Sequence, residues 1–200
     1  DLQLGQIMSH ISTVPLLSPT RSLQYCLFMR NQRKLKPVGS CDPFWTRSGF
    51  SRWREVDTSS LIMVKGSFSS RFQVKDFCVN LIELLREADI PVLWALKTAE
   101  EDTISDPTVI DLLRSLVSQA LRMNTLLQTE KSMALSSARF QSAMIEDEWF
   151  DLLGSVVLGI PEVVIVIDIE LLNTLLANLT KSFSLPTAFT NLFQKLSERS

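Results

Sequence analysis

Histidine and tyrosine are the scarcest residues, with one of each, and the 200 residues include only three cysteines and six glycines. A single histidine, His10, all but closes off histidine-built zinc sites, Ser-His-Asp triads and Cys-His pairs. Cys26, Cys41 and Cys78 lie far apart and form no C-x-x-C pair, so they read as reduced thiols of a cytosolic protein and not as a disulfide frame. So few glycines exclude collagen-like or glycine-rich low complexity, and 46% hydrophobic with 21% charged residues excludes disorder as the dominant state. An excess of one charge is missing too: 20 basic residues face 22 acidic ones, for a net charge of −2. Neither nucleic acid nor an anionic membrane is therefore expected as a partner, since both are usually met by a basic excess.

No apolar run approaches the roughly 20 residues that span a bilayer; Val163 to Ile167 is among the longest. The start, Asp1-Leu2-Gln3-Leu4, has no basic stretch followed by an apolar one and does not read as a signal peptide. Without an initial Met the chain reads as a fragment or processed part of a larger cytoplasmic protein. Asn178-Leu179-Thr180 fits a glycosylation sequon, which matters only in a secretory compartment. The motifs GxGxxG, HExxH and GxSxG are absent, as is any internal repeat.

What is present divides at about residue 57. Residues 1–57 read as a helical or irregular segment. Leu2, Leu4, Ile7, Met8 and Ile11 are spaced for one helical face, Pro15 and Pro19 interrupt it, and Ser22 to Arg30 suits a second short helix. Arg30 to Lys36 is the one basic cluster and reads as a solvated linker or helix end, the alternative being contact with a phosphate or an acidic partner. Phe44, Trp45, Phe50 and Trp53 read as a packing lid over the core.

Residues 58–200 alternate strand and helix patterns. Ser60 to Lys65 is a short apolar run stopped by Gly66 and predicts a buried strand. Phe77, Leu81, Leu84, Leu85 and Ala88 share one helical face. Ile90 to Leu96 predicts a second strand. Glu100-Glu101-Asp102 reads as an acidic loop, and Asp106-Pro107 as the N-cap and first residue of a helix bearing Ile110, Leu113, Leu116, Val117 and Leu121. A helical region follows from about Ala134 to Val157. Glu162 to Asp168 predicts a third strand, free of alternation and so covered on both faces. Leu171 to about Ser182 and Thr187 to Glu198 read as closing helices. This order is that of an α/β fold with a parallel sheet, three layers deep, helices on both faces and the sheet incomplete.

Ligands of parallel sheets sit at the carboxyl ends of the strands, which directs attention to Gly66 to Phe72 and to Asp168 to Glu170. Strand, glycine, polar loop and helix is the layout of a phosphate-binding loop, G-x-x-x-x-G-K-[ST]. Laid over Gly66, Arg71 falls on the second glycine, Phe72 on the lysine and Gln73 on the hydroxyl. Ser67, Ser70 and the helix N-terminus still offer donors for an anion, and Arg71 or Lys75 could partly supply the missing charge. β-Branched residues followed by Asp168 match the Walker B pattern, in which the carboxylate organises magnesium; the alternative is that Asp168 simply caps the next helix. Asp168 and Glu170, read as extended, would point the same way as a carboxylate pair. Cys78, Trp94 and Trp149 read as core, and Glu146-Asp147-Glu148 as a solvated helix face.

Three segments carry a resemblance: Ser60-Leu-Ile-Met-Val-Lys-Gly66, Asp106-Pro-Thr-Val-Ile-Asp-Leu-Leu-Arg-Ser-Leu-Val-Ser-Gln119, and Val163-Val-Ile-Val-Ile-Asp168. With the aromatic lead-in at Phe44 to Trp53, residues from about Ser59 to Ser200 resemble the nucleotide-binding module of fungal STAND-type P-loop NTPases, the NACHT-like proteins. The resemblance implies an ATP-dependent signalling switch, with ATP or ADP and magnesium at Gly66, Ser67, Ser70, Arg71, Lys75 and Asp168. Only Gly66 and Asp168 match the family's own functional positions. The expectation is therefore a degenerate copy, a scaffold or regulatory module that binds a protein partner or itself, with weak or no hydrolysis. The alternative is a divergent working NTPase using Gly66, Arg71 or Lys75, and Asp168.

Overall fold

Val92–Ala95 and Val164–Ile167 are stretches in which apolar residues run without a polar break, and in the computed structural model they pair as parallel strands β1 and β2. The structure describes residues 16, 18–34, 44–56, 58, 60–98, 107–123, 139–160, 162–177 and 184–198. In chain order the elements are α1 (Pro19–Lys34), α2 (Ser48–Arg54), a 3-10 turn (Phe68–Ser70), α3 (Arg71–Glu87), β1, α4 (Val109–Met123), α5 (Glu146–Val157), β2, α6 (Ile169–Ala177) and α7 (Leu185–Ser197). The protein is thus a mostly helical α/β fold around a two-stranded parallel sheet. Among the described residues, no helix is long and apolar enough to cross a membrane.

Alternation along the strands sends side chains into two cores. Leu93 and Ala95, with Val163, Ile165 and Ile167, meet residues of α4, α5, α6 and α7, including Leu112, Leu116, Leu153, Leu171 and Phe189. Val92, Trp94, Val164 and Val166 meet Leu23 and Cys26 of α1 and Cys78, Val79 and Ile82 of α3. Both faces of β2 are covered, as its unbroken apolar sequence implies. Cys26 and Cys78 are buried and unbridged. Gly154 has no room for a side chain, because a Cβ there would lie 2.6 Å from Leu192 Cδ1; this close approach seats α7 on α5.

The outer edge of β1 is closed by a side chain. Gln119 of α4 accepts from Trp94 N–H through Oε1 (3.0 Å) and donates from Nε2 to Trp94 O (2.9 Å). One amide thereby takes the place of a neighbouring strand and satisfies both backbone groups of a buried residue.

Local chemistry sets the helix ends. Thr108, not Asp106-Pro107, caps α4: its hydroxyl accepts from Asp111 N–H (3.2 Å), and Asp111 Oδ2 accepts from Thr108 N–H (2.9 Å). This reciprocal pair satisfies two free donors, so the helix begins after Pro107. The carboxylate of Glu148 reaches back to Met144 N–H (2.7 Å) at the start of α5. Ser184 caps α7, which begins at Leu185 with Pro186 inside its first turn, earlier than Thr187. The C-terminus of α3 is closed by Asp89 at φ 55°, with Ile90 N–H bonded to Leu85 O at 2.9 Å.

Two further sequence expectations change. Arg30 and Arg33 belong to a helix end, as one of the two expectations had it, and not to a solvated linker. They lie on α1, which runs beyond Arg30 to Lys34, and they clamp it to α3: Arg30 binds Asn80 and Glu83, and Arg33 binds Asp76. Ser60 to Lys65 takes no regular secondary structure and joins no ladder. Ile62 and Val64 are half-buried while Leu61 and Met63 are exposed. An apolar run favours a strand, but a ladder also needs a neighbouring backbone at about 4.8 Å, which local sequence does not provide. The aromatic lid is as expected: Phe44, Trp45 and Phe50 surround Phe77 at ring distances of 5.3, 4.9 and 5.3 Å. Expectations about Leu2 to Ile11, His10, Leu35, Lys36, Cys41, Glu100 to Asp102, residues 134–138 and Asn178 to Thr180 lie outside the described residues.

Gln119→Leu keeps the bulk of the side chain but strands Trp94 N–H and C=O. It is expected to cost about 2 kcal/mol or more, read as a lower urea midpoint; an unchanged midpoint would show that the edge is not sealed by this amide.

Candidate functional site

The residue after β2 is Asp168, whose side chain is 1% exposed. Its N–H stays in the ladder, donating to Ala95 O (2.9 Å), and its carbonyl accepts from Leu172 N–H (3.1 Å). Oδ1 accepts from Glu170 N–H (2.9 Å), so Asp168 is the cap of α6. Glu170 therefore stands in the first turn of a helix and not in an extended strand end. Oδ2 faces the end of β1, where it accepts from Lys97 N–H at 3.2 Å.

Lys75, one turn into α3, completes the cluster. Its Nζ lies 2.7 Å from Glu170 Oε2 and 3.3 Å from Asp168 Oδ2, and it donates to Lys97 O at 3.0 Å. The Lys97 ammonium turns away to Thr174 Oγ1 (3.1 Å), and that hydroxyl donates to Glu170 O (3.0 Å). Three chain segments, α3, the end of β1 and the start of α6, are tied at the carboxyl end of the sheet. Burial by itself would lower the Lys75 pKa, but the adjoining Asp168 and Glu170 carboxylates outweigh it and hold the ammonium above the ordinary lysine range.

The loop before α3 is arranged differently from a working phosphate loop. A Cβ on Gly66 would lie 2.7 Å from both Ser70 Oγ and Val74 Cγ2, so glycine permits the chain to lie tightly on α3. Ser67 Oγ is bonded to Ser69 Oγ (2.8 Å) and Ser70 Oγ (3.1 Å). Arg71 lies over the rings of Phe68 (3.9 Å) and Phe72 (4.6 Å).

Of the six residues singled out from sequence, Lys75 and Asp168 meet directly, and Gly66, Ser67 and Ser70 gather at the start of α3. Arg71 is held on the aromatic rings. Magnesium and nucleotide phosphate would need a free carboxylate at Asp168 and a free cation near the loop. In this arrangement Asp168 and Lys75 are each other's partners and Arg71 is stacked, so these side chains do not fit that group as they stand.

Lys97 and Thr174 were not visible as site residues from sequence. Lys97 lies two residues beyond β1, where the rule of strand carboxyl ends could have pointed. Thr174 had no signal, because it matters only through α6 packing beside Lys97. Among the described residues, no group of three or more His, Cys, Asp or Glu could hold a metal ion. A groove of about 500 Å³ between α5 and α7, lined by Phe150, Leu192, Asp147, Asp151, Lys195 and Glu198 among others, shares no residue with the cluster.

Two outcomes follow for stability. Asp168→Ala leaves Lys75 facing one carboxylate and removes the α6 cap, at an expected cost of about 3 kcal/mol in urea denaturation. Because the Lys75 pKa is raised on folding, its contribution is complete below the unfolded value of about 10.4 and is lost as pH rises through the folded one. The parent should therefore lose stability more steeply than Lys75→Met above about pH 10.4; parallel curves would mean that the pairing does not stabilise the fold.

No protein-family model, curated protein or solved structure matches the chain.

Proposed function

We propose that the chain is a degenerate nucleotide-binding module of the STAND type, cytoplasmic and part of a larger fungal protein, which acts as a scaffold or regulatory interaction domain. ATP or ADP is bound weakly or not at all, and hydrolysis is weak or absent. In this reading the two strands are what remains of a P-loop sheet, with α3 as the helix after the loop and β2 as the Walker B strand. Protein partners, or a second copy, dock on the helices that cover the sheet.

The observation that carries this reading is the seating of Lys75 between Asp168 and Glu170. The cation and the carboxylate that a phosphate site requires neutralise each other. Arg71 on its two rings and the mutually bonded Ser67 and Ser70 point the same way. A second reading, a divergent working NTPase, draws on the same cluster. Gly66 lies against Val74, the residue before Lys75, and Lys75 lies against Asp168, so the three sit at one end of the sheet. Gly66 and Lys75 would then hold phosphate, and Asp168 would organise magnesium.

Calorimetry with ATP and ADP, with and without magnesium, separates the two. Asp168→Asn, which keeps an acceptor for the α6 cap, is the control. The module reading expects no heat up to about a millimolar nucleotide from folded protein. Magnesium-dependent binding near a micromolar Kd, lost in Asp168→Asn, would overturn it and establish the NTPase.

A further inference from the structure

We infer that the Lys75 ammonium is the protein's own cation in a seat of oxygens suited to a divalent ion, and that Lys75 and a divalent ion exclude one another there. The inference deepens the module reading and rests on it: a site that carries its own cation has no need of magnesium.

The seat is built from three chain segments. Glu170 Oε2, Lys97 carbonyl O and Asp168 Oδ2 stand 2.7, 3.0 and 3.3 Å from Lys75 Nζ. Two carboxylates and a backbone carbonyl are hard oxygen donors, the kind that magnesium, manganese and calcium take together with water. Two of the three donors are held in place independently of Lys75. Asp168 is fixed by the N–H groups of Lys97 and Glu170, and the Lys97 carbonyl belongs to the backbone leaving β1. Glu170 is the adaptable member, with its side chain 33% exposed. Ammonium nitrogen sits farther from oxygen than a metal does, so a divalent ion at about 2.1 to 2.5 Å would need the carboxylates to close in by about an ångström or less.

Charge decides the exclusion. With Lys75 seated, the cluster carries two carboxylates and one buried ammonium. A divalent ion added beside that ammonium meets like-charge repulsion in a site with little water to screen it. With the ammonium gone, two carboxylates and a carbonyl lose the cation they share, which favours one from solution. Lys75→Met keeps the length and apolar stem of the side chain and the helical preference of α3 while deleting only the charge.

Manganese alone is the probe, titrated calorimetrically into the parent, Lys75→Met and Lys75→Met/Asp168→Asn, with folding checked by circular dichroism. The parent is expected to take up no manganese to about 1 mM, Lys75→Met to bind one ion at least about tenfold more tightly, and the double variant to lose that gain. A folded Lys75→Met that binds no better than the parent, or a double variant that binds as well as Lys75→Met, overturns the inference. If Lys75→Met is unfolded without metal, manganese is expected to restore its helical signal; no recovery at about 10 mM counts against the inference. Nucleotide calorimetry on the parent reads the module proposal separately. A nucleotide-silent parent with a metal-silent Lys75→Met removes only the cation seat, whereas a parent that binds magnesium-nucleotide removes the module reading itself.

Discussion

The buried carboxylate of Asp168 organises the carboxyl end of the sheet. An ionised group taken out of water must be matched by hydrogen bonds and opposite charge. Asp168 has the N–H groups of Lys97 and Glu170 and the ammonium of Lys75. Each partner belongs to a different segment, so satisfying one charge also sets the start of α6, the exit of the chain from β1 and the position of α3. These three placements are coupled: none can shift without leaving a buried charge or donor unmatched.

Around that point the fold is divided by the alternation of two short strands. One core joins the sheet to α4 through α7, the other to α1 and α3. The edges of so small a sheet are exposed to mispairing. On the β1 side Gln119 supplies the acceptor and the donor that a neighbouring strand would have offered. Farther out, α1 is bound to α3 by Arg30 and Arg33, and Phe44, Trp45 and Phe50 close over Phe77. Near the loop before α3, Lys75 and Asp76 are engaged in ion pairs and Arg71 on aromatic rings of the same chain. That use of charge is the support for the interaction module proposed above.

Much of the fold was legible along the chain. The two paired strands, the apolar side of α4 and the aromatic lid all follow from spacing and composition, because burial imposes its period on the residues it needs; on α3 the expected face was only partly right, since Leu84 and Ala88 are exposed and the buried residues are Val74, Phe77, Cys78, Val79 and Ile82. Asp168 and Lys75 were legible as candidates, since one follows a β-branched strand and the other lies on the helix after a glycine loop. The cap of α4 was misplaced by two residues: Asp106-Pro107 and Thr108-x-x-Asp111 are both sound start signals, and the second forms the reciprocal pair. Arg30 and Arg33 looked solvated because their partners Asn80, Glu83 and Asp76 lie more than forty residues away in sequence.

Local sequence thus determined which segments are helical or extended, which faces are apolar and which residues carry charge. Those properties depend on side-chain shape, backbone preference and periodicity within a few residues. Only the tertiary structure decided that Lys75 sits on Asp168 and Glu170, that Arg71 stacks on Phe68 and Phe72, and that Ser60 to Lys65 stays outside the ladder. Whether a charge is free or neutralised, and whether an apolar run becomes a strand, depends on what another part of the chain brings within a few ångströms.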